Sequence, residues 1–409
     1  MRFGIFYELA VPKPWTPESE LEVYQTSLEQ VRLADELGFD SVWAVEHHFL
    51  EEYSHCSASD VFLTACAAQT KNIRIGFGIR LLLPPFNHPV RTAETAAAID
   101  LISNGRLEFG TGRSQTWNEL GGFLCDPDDT KDMWAEAVEA IPKMWKEEYF
   151  SWDGKYFKVP PRNVLPKPLQ KPHPPMWVAV SSPETAIQAG ERGLGMLGVS
   201  GAAPEEQAKR INTYRELVRN CEPVGDFVNE RVGTLNWLHC SEDPDEAAMY
   251  GQQLVQGFNT LNAHFVAIRQ VYPTRVYRTP GGGARARRDR RGAASQRAEA
   301  AKRPAGGGLA SASQAGTFRR DDLAIGTPDQ IIKNMKRWEE MGVDLVTCLV
   351  SVGTLVPQEK ILASLKLFAE EVIPAFDKGE DEPKPYDPRA RAATNGRSGS
   401  KAEKAAAAS

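Results

Sequence analysis

The feature that most constrains this chain is a rhythm. Short apolar runs, each followed by a segment with helical spacing or helix punctuation, recur eight times between Arg2 and Val372. The runs fall at 2–7, 40–45, 72–79, 105–110, 176–180, 196–199, 231–239 and 343–350. Ser41-Val42-Trp43-Ala44-Val45 and Met176-Trp177-Val178-Ala179-Val180 are apolar without alternation, the mark of strands covered on both faces in a parallel sheet. Thr16-Pro17, Ser182-Pro183 and Thr327-Pro328 place a cap residue before Pro in a first helical turn, and Gly38, Gly193 and Gly342 stand where those patterns stop. Tyr24, Leu28, Val31 and Ala34 keep helical spacing within the first segment. Further helices are predicted at 58–69, 89–103, 130–147, 204–219, from Asp243, and at 357–372. Eight strands each trailed by a helix are the count of an α/β fold of the (β/α)8 TIM-barrel type. The competing doubly wound sheet would show Gly-x-Gly-x-x-Gly after the first strand, and this chain does not.

With 409 residues, the chain can hold one large domain or two ordinary ones. Residues 1–376 are assigned to the barrel and 377–409 to a disordered tail. A Pro-rich connection at 159–175 can be neither regular helix nor central strand. Residues 279–316 break the pattern, with Gly281-Gly282-Gly283, then Arg285, Arg287, Arg288, Arg290 and Arg291, then Ala, Gly and Ser. Such a tract lacks the apolar side chains to offset its ordering entropy. It reads as a disordered insertion, a basic arm for anionic partners, or a compensated reading-frame error.

A net charge of −6 argues against nucleic acid as the main partner. The first residues are too short an apolar stretch for a signal peptide. No run approaches the ~18 apolar residues of a membrane span, so a cytoplasmic protein is expected. Cys56, Cys66, Cys125, Cys221, Cys240 and Cys348 form no Cys-x-x-Cys pair, which suggests reduced packing thiols.

Candidate chemistry concentrates where runs end. Glu46-His47-His48-Phe49 follows the second run, and the C-terminal ends of barrel strands are where such folds carry chemistry. Adjacent histidines on extended backbone point in opposite directions, so at most one faces a given pocket directly. A hydrogen-bonded pair holding a loop is the plainer alternative. Ser181-Ser182-Pro183-Glu184-Thr185 opens a helix, as an ordinary cap or as an anion site. Gly76 and Gly78 within a strand imply close approach, by a ligand or by packing. Phe6, Glu8 and Trp237 lie near strand ends and are candidates to line a substrate pocket. Asn87, His88 and Arg91 read equally as capping and ion pairing. No His-x-His opens the chain and no His-x-x-x-His lies on a helix, so no metal is expected.

Taken in order, Glu46-His47-His48-Phe49, the run from Ile73 to Arg80, Leu82-Leu83-Pro84, Asn87-His88-Pro89-Val90-Arg91, the run from Ile99 to Arg106 and that from Glu108 to Arg113 resemble the bacterial luciferase-like flavin-dependent monooxygenases. The likeness continues to about Ala375. It implies that His47 is a general base beside the flavin ring, a role suited to imidazole. Glu46 would orient or tune His47, or instead pair with a neighbouring Arg, and His48 would be structural. It further implies that Arg113, Ser181, Ser182 and Thr185 hold the phosphate of flavin mononucleotide (FMN). Many family members carry an acid where Ser181 stands. Gly78 and Ile79 would lie under the ring, on a segment where a non-prolyl cis peptide is frequent. A mobile lid follows the seventh strand in the family, where residues 279–316 fall.

The activity implied is oxygenation of a small organic substrate by reduced FMN and dioxygen. A separate flavin reductase would supply the reduced FMN, because no dinucleotide fingerprint is visible. A homodimer is expected, with no nucleic acid or membrane partner. A deazaflavin-dependent oxidoreductase on the same barrel is the alternative, although such proteins often carry Asp where Glu46 stands. From another class, the chain could bind flavin without turnover. Substrate identity lies in loops that vary independently of the fold.

Overall fold

In a computed structural model, which describes residues 1–199, 204–262, 272, 274 and 320–376, the apolar runs become eight parallel strands closed on themselves. They are β1 (Arg2–Tyr7), β2 (Ser41–Val45), β3 (Arg74–Leu81), β4 (Leu107–Gly112), β7 (Met176–Val180), β8 (Gly195–Val199), β9 (Val232–Cys240) and β11 (Leu345–Leu349), with β11 pairing back onto β1. The helices are α1 (Ser19–Glu36), α2 (Ser59–Gln69), α3 (Pro89–Ile102), α4 (Trp117–Gly122), α5 (Thr130–Lys146), α6 (Pro183–Glu191), α7 (Pro204–Val218), α8 (Pro244–Leu261), α9 (Pro328–Glu340) and α10 (Gln358–Leu367). The expected (β/α)8 barrel is therefore the observed fold. The segments 279–316 and 377–409 lie outside the described residues.

Four elements were not anticipated. A two-stranded antiparallel pair, β5 (Phe150–Asp153) and β6 (Lys158–Arg162), stands apart from the barrel, so the prolines of β6 interrupt no central ladder. The short β10 (Ala324–Gly326) adds to the end of β9. Helix α4 lies in the stretch between the fourth predicted strand and the helix predicted at 130–147, to which no element was assigned. Thr16 does not cap α1 directly; the helix starts at Ser19, whose Oγ accepts from the Thr16 N–H at 2.9 Å.

Side chains fill the barrel in layers. At its N-terminal end Glu108 accepts from Arg74 Nε at 2.5 Å, Arg231 Nη2 at 3.1 Å and Trp177 Nε1 at 2.6 Å. Above it the Trp43 and Trp177 rings meet edge to face at 5.5 Å. A Cβ on Gly76 would lie 2.4 Å from the Trp43 indole, and one on Gly78 would lie 2.9 Å from the Phe6 ring. Internal packing thus accounts for both glycines. The expected non-prolyl cis peptide is absent: the cis bonds among the described residues precede Pro14, Pro166 and Pro172. The irregularity of β3 is a bulge instead. Ala44 pairs with Phe77 and Val45 with Ile79, leaving Gly78 as an extra residue.

Candidate active site

The strand ends carry a buried cluster of acids and imidazoles. Beyond β2, His47 Nδ1 lies 2.8 Å from Glu119 Oε1, and His47 Nε2 lies 3.8 Å from Glu8 Oε2. Glu119 comes from α4. Its carboxylate also accepts from the His48 amide at 3.0 Å, Ser114 Oγ at 2.5 Å and Thr116 Oγ1 at 3.3 Å. Glu8 follows β1, and its Oε1 accepts from the Tyr53 hydroxyl at 2.9 Å.

These contacts set the charges. Burial works against the imidazolium of His47, but the carboxylates of Glu119, Glu8 and Glu46 overcome it and raise its pKa to about 9. Burial also opposes ionisation of Glu119, yet His47, Ser114 and the His48 amide hold its carboxyl below the usual range. Glu8 is pushed up to about 7 by burial, which outweighs the help of His47 and Tyr53 and is reinforced by Glu119. Near neutrality the cluster is a Glu119–His47 ion pair beside a carboxyl poised between its two forms.

Glu46 faces away from His47. It accepts from His48 Nε2 at 3.0 Å, Asn87 Nδ2 at 2.7 Å and the Leu81 amide at 3.1 Å, and pairs with Arg80 at 3.3 Å. Glu46 thus pairs with an Arg, and it bears on His47 through its charge and not through a hydrogen bond among those found. His48 packs against the Phe86 and Phe123 rings, with centroids at 5.8 and 4.9 Å. The two histidines diverge, as extended backbone requires.

A second constellation lies where β4 and β7 end side by side. Arg113 Nη1 donates to Thr130 Oγ1 at 3.2 Å, and Gln115 Nε2 donates to Ser181 Oγ at 3.0 Å. Ser182 caps α6, accepting from the Thr185 amide at 3.3 Å, and its hydroxyl meets that of Thr185 at 3.0 Å. Lys131 pairs with Glu184 at 2.5 Å, offsetting an acid in the first turn of α6. Ile79 is half-buried and fills the space that a Cβ on Gly112 would need. Phe6 and Trp237 are buried, and Trp237 packs edge to face on Phe258 at 5.2 Å.

Sequence reasoning missed Glu119, Tyr53, Gln115 and Thr130. Glu119 had a signal: Thr116-x-x-Glu119 has the spacing of a capping box, and Thr116 does accept from the Glu119 amide at 3.2 Å.

A closed parallel barrel with a proton-holding imidazole and an anion-compatible rim at its C-terminal face has the layout of a barrel enzyme. The chain belongs to the luciferase-like monooxygenase family, whose model matches residues 1–345. It is 25% identical over 388 residues to the oxygenase component of the flavin-dependent trigonelline monooxygenase of Acinetobacter baylyi, covering 93% of this chain and 97% of that one. It is 30% identical over 179 residues to an F420-dependent glucose-6-phosphate dehydrogenase of Amycolatopsis mediterranei, covering 42% of this chain and 52% of the relative. The crystal structure of monooxygenase RslO1 from Streptomyces bottropensis matches with a TM-score of 0.72 and 27% identity, covering 92% of this chain and all of that one.

Proposed function

We propose that the chain is the oxygenase of a flavin-dependent monooxygenase, taking reduced FMN from a separate reductase and using dioxygen to oxygenate a small organic substrate. The observation that carries this reading is the His47–Glu119 pair at the barrel mouth. With Nδ1 held by Glu119 and Nε2 3.8 Å from Glu8 Oε2, His47 is placed to hold or pass a proton, which suits acid–base work next to a redox cofactor.

The donors at the ends of β4 and β7 fit a flavin phosphate. The Arg113 guanidinium, the hydroxyls of Ser181, Ser182 and Thr185, and the N-terminus of α6 supply charge and hydrogen bonds to a dianion. Gly78 and Ile79 on the β3 bulge are the proposed neighbours of the ring. Phe6, Glu8 and Trp237 are the proposed substrate walls. When bound, the reduced flavin supplies the two electrons that activate dioxygen. Glu119 favours the charged form of His47 and fixes its ring orientation, while Phe86, Phe123 and the Glu46–His48 pair brace the loop behind it.

A second reading, reduction with a deazaflavin, is supported by the F420-dependent relative. Anaerobic titration with reduced FMN and with reduced F420, followed by measurement of dioxygen uptake, separates the two. Preference for F420 with no uptake overturns the oxygenase reading. Binding of either cofactor without turnover over a broad substrate panel would leave a flavin-binding protein. Self-association as a homodimer is part of the proposal and is read by sedimentation.

A further inference from the structure

We propose that the substrate side of this site is built for a small organic cation, with Glu8 as the residue that selects it; the word substrate rests on the oxygenase reading above. The argument begins with charge. Glu119 pairs with His47 at 2.8 Å, and Glu46 pairs with Arg80 at 3.3 Å while accepting from His48. Glu8 is held more loosely: His47 Nε2 lies 3.8 Å from its Oε2, an ion-pair distance beyond hydrogen-bond reach. Its Oε2 is buried and accepts no hydrogen bond among the described residues, although Tyr53 satisfies Oε1. A buried carboxylate oxygen without a donor is costly, and a ligand that brings positive charge relieves it.

The surroundings suit a cation. Glu8 borders a crevice with Tyr53, Phe258, Leu349 and Ser351, and aromatic faces attract organic cations. In this conformation the crevice has no room for a water-sized sphere, so entry requires its lining to move apart. A larger opening of about 460 Å³ shares His47 and is walled by Trp15, Tyr24 and Phe49 with Glu20 and Glu51. Its acids are already paired, Glu20 with His55 at 2.7 Å and Glu51 with Lys13 at 2.6 Å, so it serves as an approach and not as a second cation site.

The backbone beside Glu8 is held in a costly form. Leu9 has φ +49°, a left-handed conformation for a buried non-glycine residue. Ser54 Oγ donates to the Glu8 carbonyl at 2.7 Å, and the His55 amide donates to the Leu9 carbonyl at 3.0 Å. Enforced strain of this kind clusters at functional positions.

The titratable groups around Glu8 are His47 after β2, Tyr53 and Cys56 in the following loop, and Glu119 on α4. Its pKa of about 7 makes Glu8 partly protonated near neutrality. Cation binding favours the ionised form, so a proton is released, and affinity rises with pH through about 7 and then levels.

The test is calorimetry without flavin, using choline and its neutral isostere 3,3-dimethylbutan-1-ol. Choline is expected to bind roughly ten-fold more tightly, as for a desolvated charge-assisted contact. Its affinity should rise about ten-fold from pH 6 to pH 8, with proton release seen as a dependence of heat on buffer ionisation enthalpy. Glu8→Gln should reduce choline affinity to that of the alcohol. Equal affinities, absence of choline binding at millimolar concentration, or a Glu8→Gln protein that retains the preference would each overturn the proposal. Should that variant not fold, the proton release of the native protein decides alone. Because neither flavin nor dioxygen is present, a failed oxygenase assay leaves this result standing, and the converse holds.

Discussion

Replacing Glu119 by Gln tests the physical centre of the site. The carboxylate binds His47 Nδ1 at 2.8 Å and is the strongest influence raising that imidazole to about 9 from an ordinary 6.5. Without it, burial is opposed only by Glu8 and Glu46, and His47 should titrate well below its native value. The native displacement from 6.5 to about 9 corresponds to about 3 kcal/mol of coupling, net of burial and shared among Glu119, Glu8 and Glu46, with Glu119 the largest contributor. A group whose folded pKa is raised stabilises the fold fully below its unfolded value and loses that contribution as pH rises through the folded value. The native protein should therefore lose stability between about pH 6.5 and 9 through His47. Seen from Glu119, whose folded pKa is depressed, the same coupling is present above about 4.5 and lost as pH falls. It is one interaction viewed from both partners and is counted once. In Glu119→Gln the decline between pH 6.5 and 9 should largely disappear. The assay is denaturant unfolding at pH 6, 7.5 and 9, with an NMR titration of the His47 ring. A His47 that still titrates near 9 in the variant would refute the assignment of its charge to Glu119.

His47→Ala should lower turnover about 100-fold or more, the scale of a lost proton-transfer group, with little change in flavin affinity. His48→Ala should instead cost stability, because it removes packing against Phe86 and Phe123 and leaves Glu46 short of a donor; a larger rate loss for His48 would reverse the two roles. Arg113→Ala should weaken reduced FMN by about 1.5–3 kcal/mol and riboflavin far less, since only FMN carries the phosphate; equal losses in parallel titrations would remove Arg113 from the phosphate site. Glu108→Gln should destabilise the barrel by about 3 kcal/mol or more by leaving Arg74 and Arg231 without their shared carboxylate. Because Arg231 and Arg74 hold the Glu108 pKa below its ordinary value against burial, the native contribution is present above about pH 4.5 and lost as pH falls; a urea-unfolding loss under about 1 kcal/mol would mean that water already screens the triad.

The architecture was legible because a barrel strand buried on both faces must be written in consecutive apolar residues, and its helices must be punctuated by caps and glycines. All eight strands end within two residues of the sequence-derived bounds at the C-terminal side, and His47 could be placed beyond β2 on that basis. The hairpin β5–β6 and the short β10 and α4 escaped notice because elements of three to six residues carry too few positions to display a period. The Thr116-x-x-Glu119 spacing alone offered a start for α4.

What the sequence by itself determined is the set of elements and the residue types stationed at their ends: an imidazole after β2, a guanidinium after β4, and a serine cap on α6. Tertiary structure alone decided their partnerships. Glu46 is next to His47 in the chain yet pairs with Arg80 and His48, whereas Glu119, 72 residues distant, takes His47. Adjacent side chains on extended backbone diverge, and closing the barrel brings the ends of different strands to one rim. The charge of His47 and the poised proton of Glu8 follow from that convergence, since both depend on burial and on neighbours supplied by other elements.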